Sequence, residues 1–203
     1  MINKEELILR IKNGCSTVIA AEAELTDIDA KFGDADHGFT MVKICNAIVK
    51  ALVEAEGDIK ETLDDAAMAV MSLNGGSAVP LWNTWLDGMQ EAAPAGEDID
   101  VAGLQAMFAQ GFAALDDISG AKVGDKTMMD ALIPASQAIA AYTGSDEAEL
   151  FALAARAAAE GAEATRQFTA KFGRAKSYGE QTIGTPDAGA TSMSLFFQGL
   201  AQG

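Results

Sequence analysis

We predict an all-α fold, with eight antiparallel helices in a single domain that spans residues 1–203. Apolar residues recur at helical spacings along almost the whole sequence. Alternating runs of Val, Ile and Thr are too short for strands, and aromatic residues make up only 6% of the chain. Alanine-rich stretches such as LFALAARAAAEGAEA favour helix formation and close packing of helices. The chain length, without a repeat or a long linker, suits one domain with a sizeable core.

The first four helices follow from apolar stripes and clear end signals. The first helix carries one apolar stripe and ends near Leu25. The second fits residues 37–55 and the third fits 59–73, where Asn74-Gly75-Gly76 stops it. The fourth fits 80–92, with Pro80 in its first turn, where no amide hydrogen bond is lost. The stripe of the first helix consists of Leu7, Ile8, Ile11, Val18 and Ile19.

Four more helices complete the predicted array. They fit residues 100–118, 126–141, 146–172 and 188–201. We expect the four prolines and most glycine clusters to fall between the helices rather than inside them.

The chain is strongly acidic, with a formal net charge of −16. Nucleic acids and anionic membranes require a basic face, so we expect neither as a partner. A polyphosphate ligand would need metal ions to offset this charge. Cys15 and Cys45 have no metal-ligand spacing, which predicts two reduced thiols. The amino terminus lacks a signal peptide and no run of eighteen apolar residues occurs, so we expect a cytoplasmic protein.

Four connections between helices are rich in Gly, Ser, Thr or Asp, and each leads into a helix. They read FGDADHG, LNGGSAVPL, SGAKVGDKTMMD and FGRAKSYGEQTIGTPDAGATS, and we call them the first, second, third and fourth loops. They follow the first, third, fifth and seventh predicted helices. Alternate connections of an antiparallel array fall at the same end, so we expect all four loops at one rim.

The first loop has the composition of a metal site. Asp34 and Asp36 are two residues apart between glycines, Asp29 lies just upstream, and His37 is the only histidine. Carboxylate oxygens at this density suit Mg2+, which proteins usually hold through a few carboxylates together with substrate phosphates. An EF-hand is rejected because a third ligand and the closing glutamate are missing.

The other loops have features that suit phosphate. Gly75-Gly76-Ser77 and Asp187 each precede a helix, and a helix amino terminus offers free amides and a positive dipole end. Arg174 is positioned to add a charge-assisted hydrogen bond, and Lys126 with Thr127 to act similarly at the sixth helix. The loops contain no Walker-type or kinase-type glycine motif.

Each feature also has a simpler structural interpretation, which the residues alone leave open. Asp36 or Asp187 would serve equally well as an N-cap, and Gly75-Gly76 as a C-cap. His37 taken alone is more often a hydrogen-bonded structural residue than a catalytic one. The combination of four compatible loops at one end of the array is what favours a binding site.

The four motifs FGDADHGFTM, GGSAVPLWNT, GDKTMMDAL and GRAKSYGEQTIGTPDAGATS, in this order and at these spacings, resemble the nucleotide-binding subunit of dihydroxyacetone kinases, the DhaL-like family. The similarity covers essentially the whole chain. It implies an eight-helix antiparallel barrel that holds ADP or ATP and two Mg2+ ions at one rim.

The resemblance also implies site residues. Asp29, Asp34 and Asp36 match the family's metal-binding aspartates, and together with His37 they are the implied catalytic residues. The adenine is expected near Thr127 and Met128. The implied nucleotide pocket comprises His37, Thr40, Gly76, Ser77, Ala78, Gly120, Thr127, Met128, Arg174, Asp187 and Gly189.

Several positions depart from the family pattern on the nucleotide side. The usual Gly-Gly-Ala-Ser-Gly-Pro-Leu reads Gly75-Gly76-Ser77-Ala78-Val79-Pro80-Leu81, so the hydroxyl has moved and a β-branched residue replaces a glycine. Thr40 stands for an asparagine, Ala188 for a proline, and Val123 for the proline before GDKT. The metal-binding aspartates match throughout.

The function that the resemblance implies is phosphoryl transfer to dihydroxyacetone, or to another small ketose such as a tetrulose, held on a partner subunit. Either ATP or a phosphotransferase-system protein would supply the phosphoryl group, and a homodimer is possible. Two alternatives are a phosphotransfer domain of the fatty-acid-kinase type and a non-catalytic, nucleotide-bound module that regulates a partner. The intact Asp29, Asp34 and Asp36 favour catalysis.

Overall fold

The computed structural model describes residues 1–203 and confirms the all-α prediction. It contains nine α-helices and one two-stranded antiparallel sheet, in which Ile2 pairs with Ile99 and Asn3 with Asp98. The strands are β1 (Ile2–Asn3) and β2 (Asp98–Ile99). The helices are α1 (Lys4–Ala20), α2 (Glu22–Asp29), α3 (His37–Glu54), α4 (Ile59–Met71), α5 (Ala78–Ala92), α6 (Val101–Ser119), α7 (Met129–Ala141), α8 (Glu147–Ala164) and α9 (Ala188–Leu200).

The eight longer helices form the closed ring that the family resemblance implied. From α3 to α9 each helix packs on the next along the chain, α1 packs on α3, and α9 closes the ring on α1. The interior is one cluster of 46 buried apolar residues. At its centre Trp82, Trp85 and Phe196 pack edge to face, with ring centroids 5.2–5.7 Å apart. This rigid barrel supports the loops at its rim.

The ninth helix arises because the predicted first helix is broken at Ala21. The Ala21 amide donates to Val18 O, and the chain then turns into α2. The new direction brings α2 against the start of α3. The two backbones pack so closely there that a Cβ added to Gly38 would lie only 2.2 Å from Glu22 O. The break thereby carries Asp29, the last residue of α2, to the start of the first loop.

Two predicted helix boundaries in the second half of the chain were wrong. The sixth predicted helix begins at Met129 rather than at residue 126, because Lys126 has a φ of 61° and Asp130 accepts the Thr127 amide. The seventh ends at Ala164 rather than at 172, where the Thr165 hydroxyl donates to Ala162 O and a short 3-10 turn follows. Both changes lengthen the loops at the rim.

Pro134 lies inside α7, although prolines were expected between helices. Proline has no N–H, so the carbonyl of Asp130 loses its usual partner four residues later. Helix α8 approaches this carbonyl closely, since a Cβ added to Gly161 would lie 2.0 Å from Asp130 O and 3.2 Å from Pro134 Cγ. The close approach of Gly161 covers the carbonyl in place of the missing amide.

Cys15 and Cys45 are buried free thiols that meet between α1 and α3. A hydrogen bond to Cys45 and burial raise the pKa of the Cys15 thiol well above its ordinary value. The Cys15 thiol therefore stays protonated, and both buried side chains pack as small apolar groups. None of the nine helices combines the length and apolar character that a bilayer crossing requires.

We expect Gly199→Ala to destabilise the barrel by about 1–3 kcal/mol, because a methyl group there overpacks the contact between α1 and α9. A Cβ added to Gly199 would lie 2.4 Å from Gly14 Cα and 2.4 Å from Asn13 O, which are backbone atoms that cannot rotate away. Urea unfolding followed by circular dichroism measures the change. Gln198→Ala, at the exposed neighbouring position, is the control and should leave the midpoint within experimental error.

Candidate functional site

All four loops line one cavity of about 610 Å³ at the rim of the barrel. Its walls also include the first turns of α3, α5 and α9, so three helix amino termini contribute. Of the residues predicted for the site, those that line the cavity are Asp29, Asp34, Asp36, His37, Thr40, Gly76, Ser77, Ala78, Lys126, Thr127, Met128, Arg174, Asp187 and Gly189.

Among the residues of the implied nucleotide pocket, Gly120 alone lies outside this lining. It ends α6 in the left-handed conformation, with a φ of 63°, and its amide donates to Asp116 O. Glycine is favoured there because it adopts a positive φ without strain. Its neighbours Ser119 and Ala121 line the cavity instead. The structure therefore gives Gly120 the role of a helix cap beside the site.

Asp29, Asp34 and Asp36 form a carboxylate cluster in which one oxygen from each lies within 4.8 Å of the others. Asp29 Oδ2 accepts the amides of Asp36 and His37, at 3.0 and 3.3 Å, which fixes its orientation. Ala35 has a φ of 61°, and this turn directs the two neighbouring carboxylates to the same place. Three hard oxygen ligands beside an open cavity fit a Mg2+ ion that keeps part of its coordination for other groups.

The electrostatics of the cluster also favour a cation. Burial raises the pKa of Asp36, and the charges of Asp34 and Asp29 raise it further. The nearby Arg174 guanidinium opposes this rise, and its Nη2 lies 2.6 Å from Asp34 Oδ2. The cluster thus keeps a net negative charge, because the one nearby arginine is exposed and offsets it only in part.

His37 connects the first loop to α9. Its Nε2 lies 3.0 Å from the Ser192 hydroxyl, and that hydroxyl donates to Gly189 O. The Ser192 oxygen is therefore left to accept a proton from Nε2. Burial lowers the pKa of His37, although the Asp29 charge opposes the effect, so the imidazole is neutral at pH 7. His37 is therefore oriented by a hydrogen bond and also lines the cavity.

The structure decides between the capping alternatives for the other loops. Ser72 caps α4, so Gly75 and Gly76 are not its C-cap. The Asp36 side chain makes no capping bond, whereas Asp187 Oδ2 accepts the Ala190 amide at 2.7 Å and caps α9.

Val79, which departs from the family pattern, is accommodated beside a glycine. A Cβ added to Gly75 would lie 2.7 Å from Val79 Cγ2, so the absence of a side chain at Gly75 makes room for the branched residue. The hydroxyl of Ser77 makes no capping bond and lines the cavity. The departures leave the amino terminus of α5 open to a ligand.

The third and fourth loops meet at the opposite wall. A Cβ added to Gly189 would lie 3.3 Å from both the amide nitrogen and the Cβ of Met128. Burial raises the pKa of Asp187 to about 7, and the Asp130 charge raises it as well, whereas the Ala190 amide and Lys126 oppose the rise. A carboxyl group that is only partly ionised at neutral pH therefore lies beside Met128 in the cavity wall.

Lys126 does not act as the phosphate ligand suggested by its sequence position. Its side chain is buried, and its Nζ donates to the carbonyls of Thr165 and Thr185. Two further polar residues that sequence reasoning missed hold the same region: Asp130 accepts the amides of Gly124 and Thr127, and Thr165 accepts the amide of Asp187. Asp130, as an acid in a helix first turn, was detectable from its position, whereas Thr165 fell inside a predicted helix.

A ring of eight helices with a carboxylate cluster and three helix amino termini around one cavity defines a barrel domain suited to a metal ion and an anion. The chain belongs to the Dak2 family, whose model, the DAK2 domain, matches residues 31–202. The predicted family is thus confirmed.

Two kinds of relative match the chain over most of its length. It is 33% identical over 193 residues to the ADP-binding subunit DhaL of the PEP-dependent dihydroxyacetone kinase of Escherichia coli, covering 92% of this chain and 91% of that subunit. It is 35% identical over 196 residues to D-erythrulose kinase of Mycolicibacterium smegmatis, covering 93% of this chain. The chain spans about a third of the length of that kinase and of the L-erythrulose 1-kinase from the same organism.

Solved structures show the same fold. The native dihydroxyacetone kinase of C. freundii matches with a TM-score of 0.74 at 25% identity, over 97% of this chain and 34% of that one. The complex of this kinase with AMP-PNP and Mg2+ matches with the same TM-score at 24% identity, over 97% of this chain and 33% of that one.

Proposed function

We propose that this chain is the adenine-nucleotide subunit of a small-ketose kinase, and that it transfers a phosphoryl group to a sugar held by a partner subunit. The observation that carries the proposal is the cavity in which Asp29, Asp34 and Asp36 face three helix amino termini. The near full-length similarity to a DhaL subunit supports the same conclusion. ADP or ATP is the proposed nucleotide.

Asp29, Asp34 and Asp36 would hold Mg2+, with two ions proposed by analogy to the family. When bound, Mg2+ neutralises charge on the transferring phosphoryl group and aligns donor with acceptor. The chain itself contributes position. Asp29 is held by two backbone amides, and neutral His37 is held by Ser192, so both keep their orientation before a ligand arrives.

The phosphates would lie between the carboxylate cluster and the amino terminus of α5 at Gly76, Ser77 and Ala78. The adenine would lie at the opposite wall, against Met128 and Gly189. Arg174, which pairs with Asp34, would contact the phosphates from the fourth loop. No other charged side chain of the fourth loop lines the cavity except Asp187.

The sugar and the phosphoryl donor belong to partners. Large apolar side chains are exposed at the end of α6 and on the third and fourth loops, beside the cavity, and a protein partner would cover them. Dihydroxyacetone and erythrulose are the proposed substrates, and ATP or a phosphotransferase-system protein is the proposed donor, in the cytoplasm. A homodimer is a further possibility for the assembly. The exposed side chains are Ile118, Val123, Phe172, Tyr178 and Ile183.

The proposal is tested by purifying the chain without added nucleotide and analysing it by mass spectrometry. Co-purified ADP that is lost in Asp34→Asn would support a permanently bound nucleotide and a protein donor. An empty cavity that binds Mg2+-ATP by calorimetry would support direct use of ATP. If the wild type contains no nucleotide and binds neither ADP nor ATP with Mg2+, the proposed function is wrong.

We expect Arg174→Gln to weaken binding of Mg2+-ADP by about tenfold, which is the size of one charge-assisted hydrogen bond. Isothermal titration calorimetry measures the affinity. Arg156→Gln, which removes an exposed arginine from α8 away from the cavity, is the control for the loss of one positive charge. Equal affinities in the two variants would rule out a contact between Arg174 and the phosphates.

A further inference from the structure

Lys126 is a buried lysine in the wall of the cavity, and its ammonium group is held by two backbone carbonyls. The residue is 5% exposed, and Nζ donates to Thr165 O at the end of α8 and to Thr185 O in the fourth loop. A buried ammonium is unfavourable unless its donors are satisfied, and these two carbonyls satisfy them in part. The side chain therefore joins three segments of the chain through one charged group.

The backbone of Lys126 supports the same conclusion. Its φ of 61° lies in the left-handed region, where a residue with a Cβ is strained and glycine is favoured. Apart from Ala35 in the first loop, it is the only residue other than glycine with a positive φ. A lysine in this strained conformation indicates that the hydrogen bonds of its side chain offset the strain, which glycine would avoid.

The hydrogen bonds of Lys126 continue to the residues that line the cavity. The Thr165 hydroxyl accepts the amide of Asp187 at 2.9 Å, and Asp187 in turn caps α9. On the other side, Asp130 accepts the Thr127 amide at 2.7 Å and so fixes the residue next to Lys126. The two walls that meet at Met128 and Gly189 are therefore linked through the Lys126 ammonium.

We propose that Lys126 is a positioning residue that fixes the separation between Thr127–Met128 and Asp187–Gly189, and thereby the affinity of the cavity for the base of a nucleotide. This inference rests on the proposed function. It assigns Lys126 no contact with phosphate, because its ammonium already donates to the carbonyls of Thr165 and Thr185. The carboxylate cluster on the first loop shares no hydrogen bond with Lys126 and should be unaffected.

Charge gives the inference a second measurable consequence. Burial raises the pKa of Asp187 and the Asp130 charge adds to the rise, whereas the Lys126 ammonium lowers it. Burial lowers the pKa of Lys126 itself, and the charges of Asp187 and Asp130 oppose that change. Removal of the ammonium should therefore move the Asp187 titration to higher pH, a change that loss of side-chain packing alone would not produce.

The test compares Lys126→Met with the wild type, using Mg2+-ADP and Mg2+-pyrophosphate as calorimetric probes. We expect affinity for Mg2+-ADP to fall by about tenfold to a hundredfold, as for other residues that orient a binding group, while affinity for pyrophosphate changes by less than about twofold. The pH at which ADP binding is half-maximal should also rise. Lys122→Met, on the exposed part of the same loop, is the control and should bind both probes like the wild type.

A second variant guards against misfolding. Lys126→Gly relieves the positive φ and removes the ammonium, so it should fold and still lose ADP affinity, with faster amide exchange over residues 121–130 and 183–189. Suppose that the wild type binds ADP. If either variant then binds it equally tightly, the positioning role is overturned and the proposed function stands. If the wild type itself binds neither probe, the proposed function fails and this inference fails with it.

Discussion

Asp36→Asn is expected to reduce the affinity for ADP in the presence of Mg2+ by about a hundredfold or more, since loss of even an indirect metal contact costs about tenfold to a hundredfold. Asp36 shares the carboxylate cluster with Asp29 and Asp34, and an amide oxygen is a weaker ligand for Mg2+ than a carboxylate. Calorimetry with and without Mg2+ separates the contribution of the metal ion to ADP binding from that of the protein alone. Binding measured without Mg2+ should be equal to or tighter than that of the wild type, because one negative charge is gone.

In the absence of Mg2+ the same substitution should stabilise the fold, although it weakens ligand binding when Mg2+ is present. Burial and the two neighbouring carboxylates raise the pKa of Asp36 in the folded chain, so its ionised form opposes folding. This cost is fully present above the raised pKa and disappears as the pH falls below the ordinary value of 3.8. Asp36→Asn should therefore increase the melting temperature slightly at pH 7 in the absence of Mg2+.

Asp64→Asn is the matched control, because Asp64 is an exposed aspartate on α4 outside the cavity. It removes the same charge and should change neither the affinity for Mg2+-ADP nor its dependence on Mg2+. Should Asp36→Asn bind Mg2+-ADP like this control, the carboxylate cluster would not be the metal site, and the central claim of the proposed function would be lost.

The fold was predictable where apolar periodicity and end signals are both local. Helix α3 begins at His37 and α9 at Ala188, as the sequence predicts, because each follows a loop rich in glycine and aspartate that interrupts the apolar periodicity. The break at Ala21 depends on packing between α2 and α3, which no window of the sequence contains. Pro134 frees a carbonyl in α7 that Gly161, a residue of another helix, covers by its close approach.

The candidate site was likewise predictable where its residues are close in sequence, and not where they meet only in the folded chain. Asp34, Asp36 and His37 are adjacent in sequence, so their chemistry is visible before their geometry is known. Lys126 is different, because its position at the start of a predicted helix suggested an anion ligand. Only the carbonyls of Thr165 and Thr185, about 40 to 60 residues away, reveal that its ammonium links two loops.

Asp187→Asn is expected to remove a pH dependence of stability that the wild type shows between about pH 4 and pH 7. Burial is the main cause that raises the Asp187 pKa from 3.8 to about 7 in the folded chain. Over this range the folded chain binds more protons than the unfolded chain, so the free energy of unfolding falls as the pH rises, and it levels off above pH 7. Asparagine does not ionise, yet it keeps the oxygen that accepts the Ala190 amide.

The variant should therefore be more stable than the wild type at pH 8, by at most about 4 kcal/mol, and the difference should vanish near pH 4. Urea unfolding at several pH values measures it. Asp146→Asn is the control, because Asp146 caps α8 through the amides of Ala148 and Glu149 but is exposed, so the control should keep the pH profile of the wild type. If Asp187→Asn also keeps that profile, the carboxyl group of Asp187 ionises normally, and the wall beside Met128 carries a full negative charge at neutral pH.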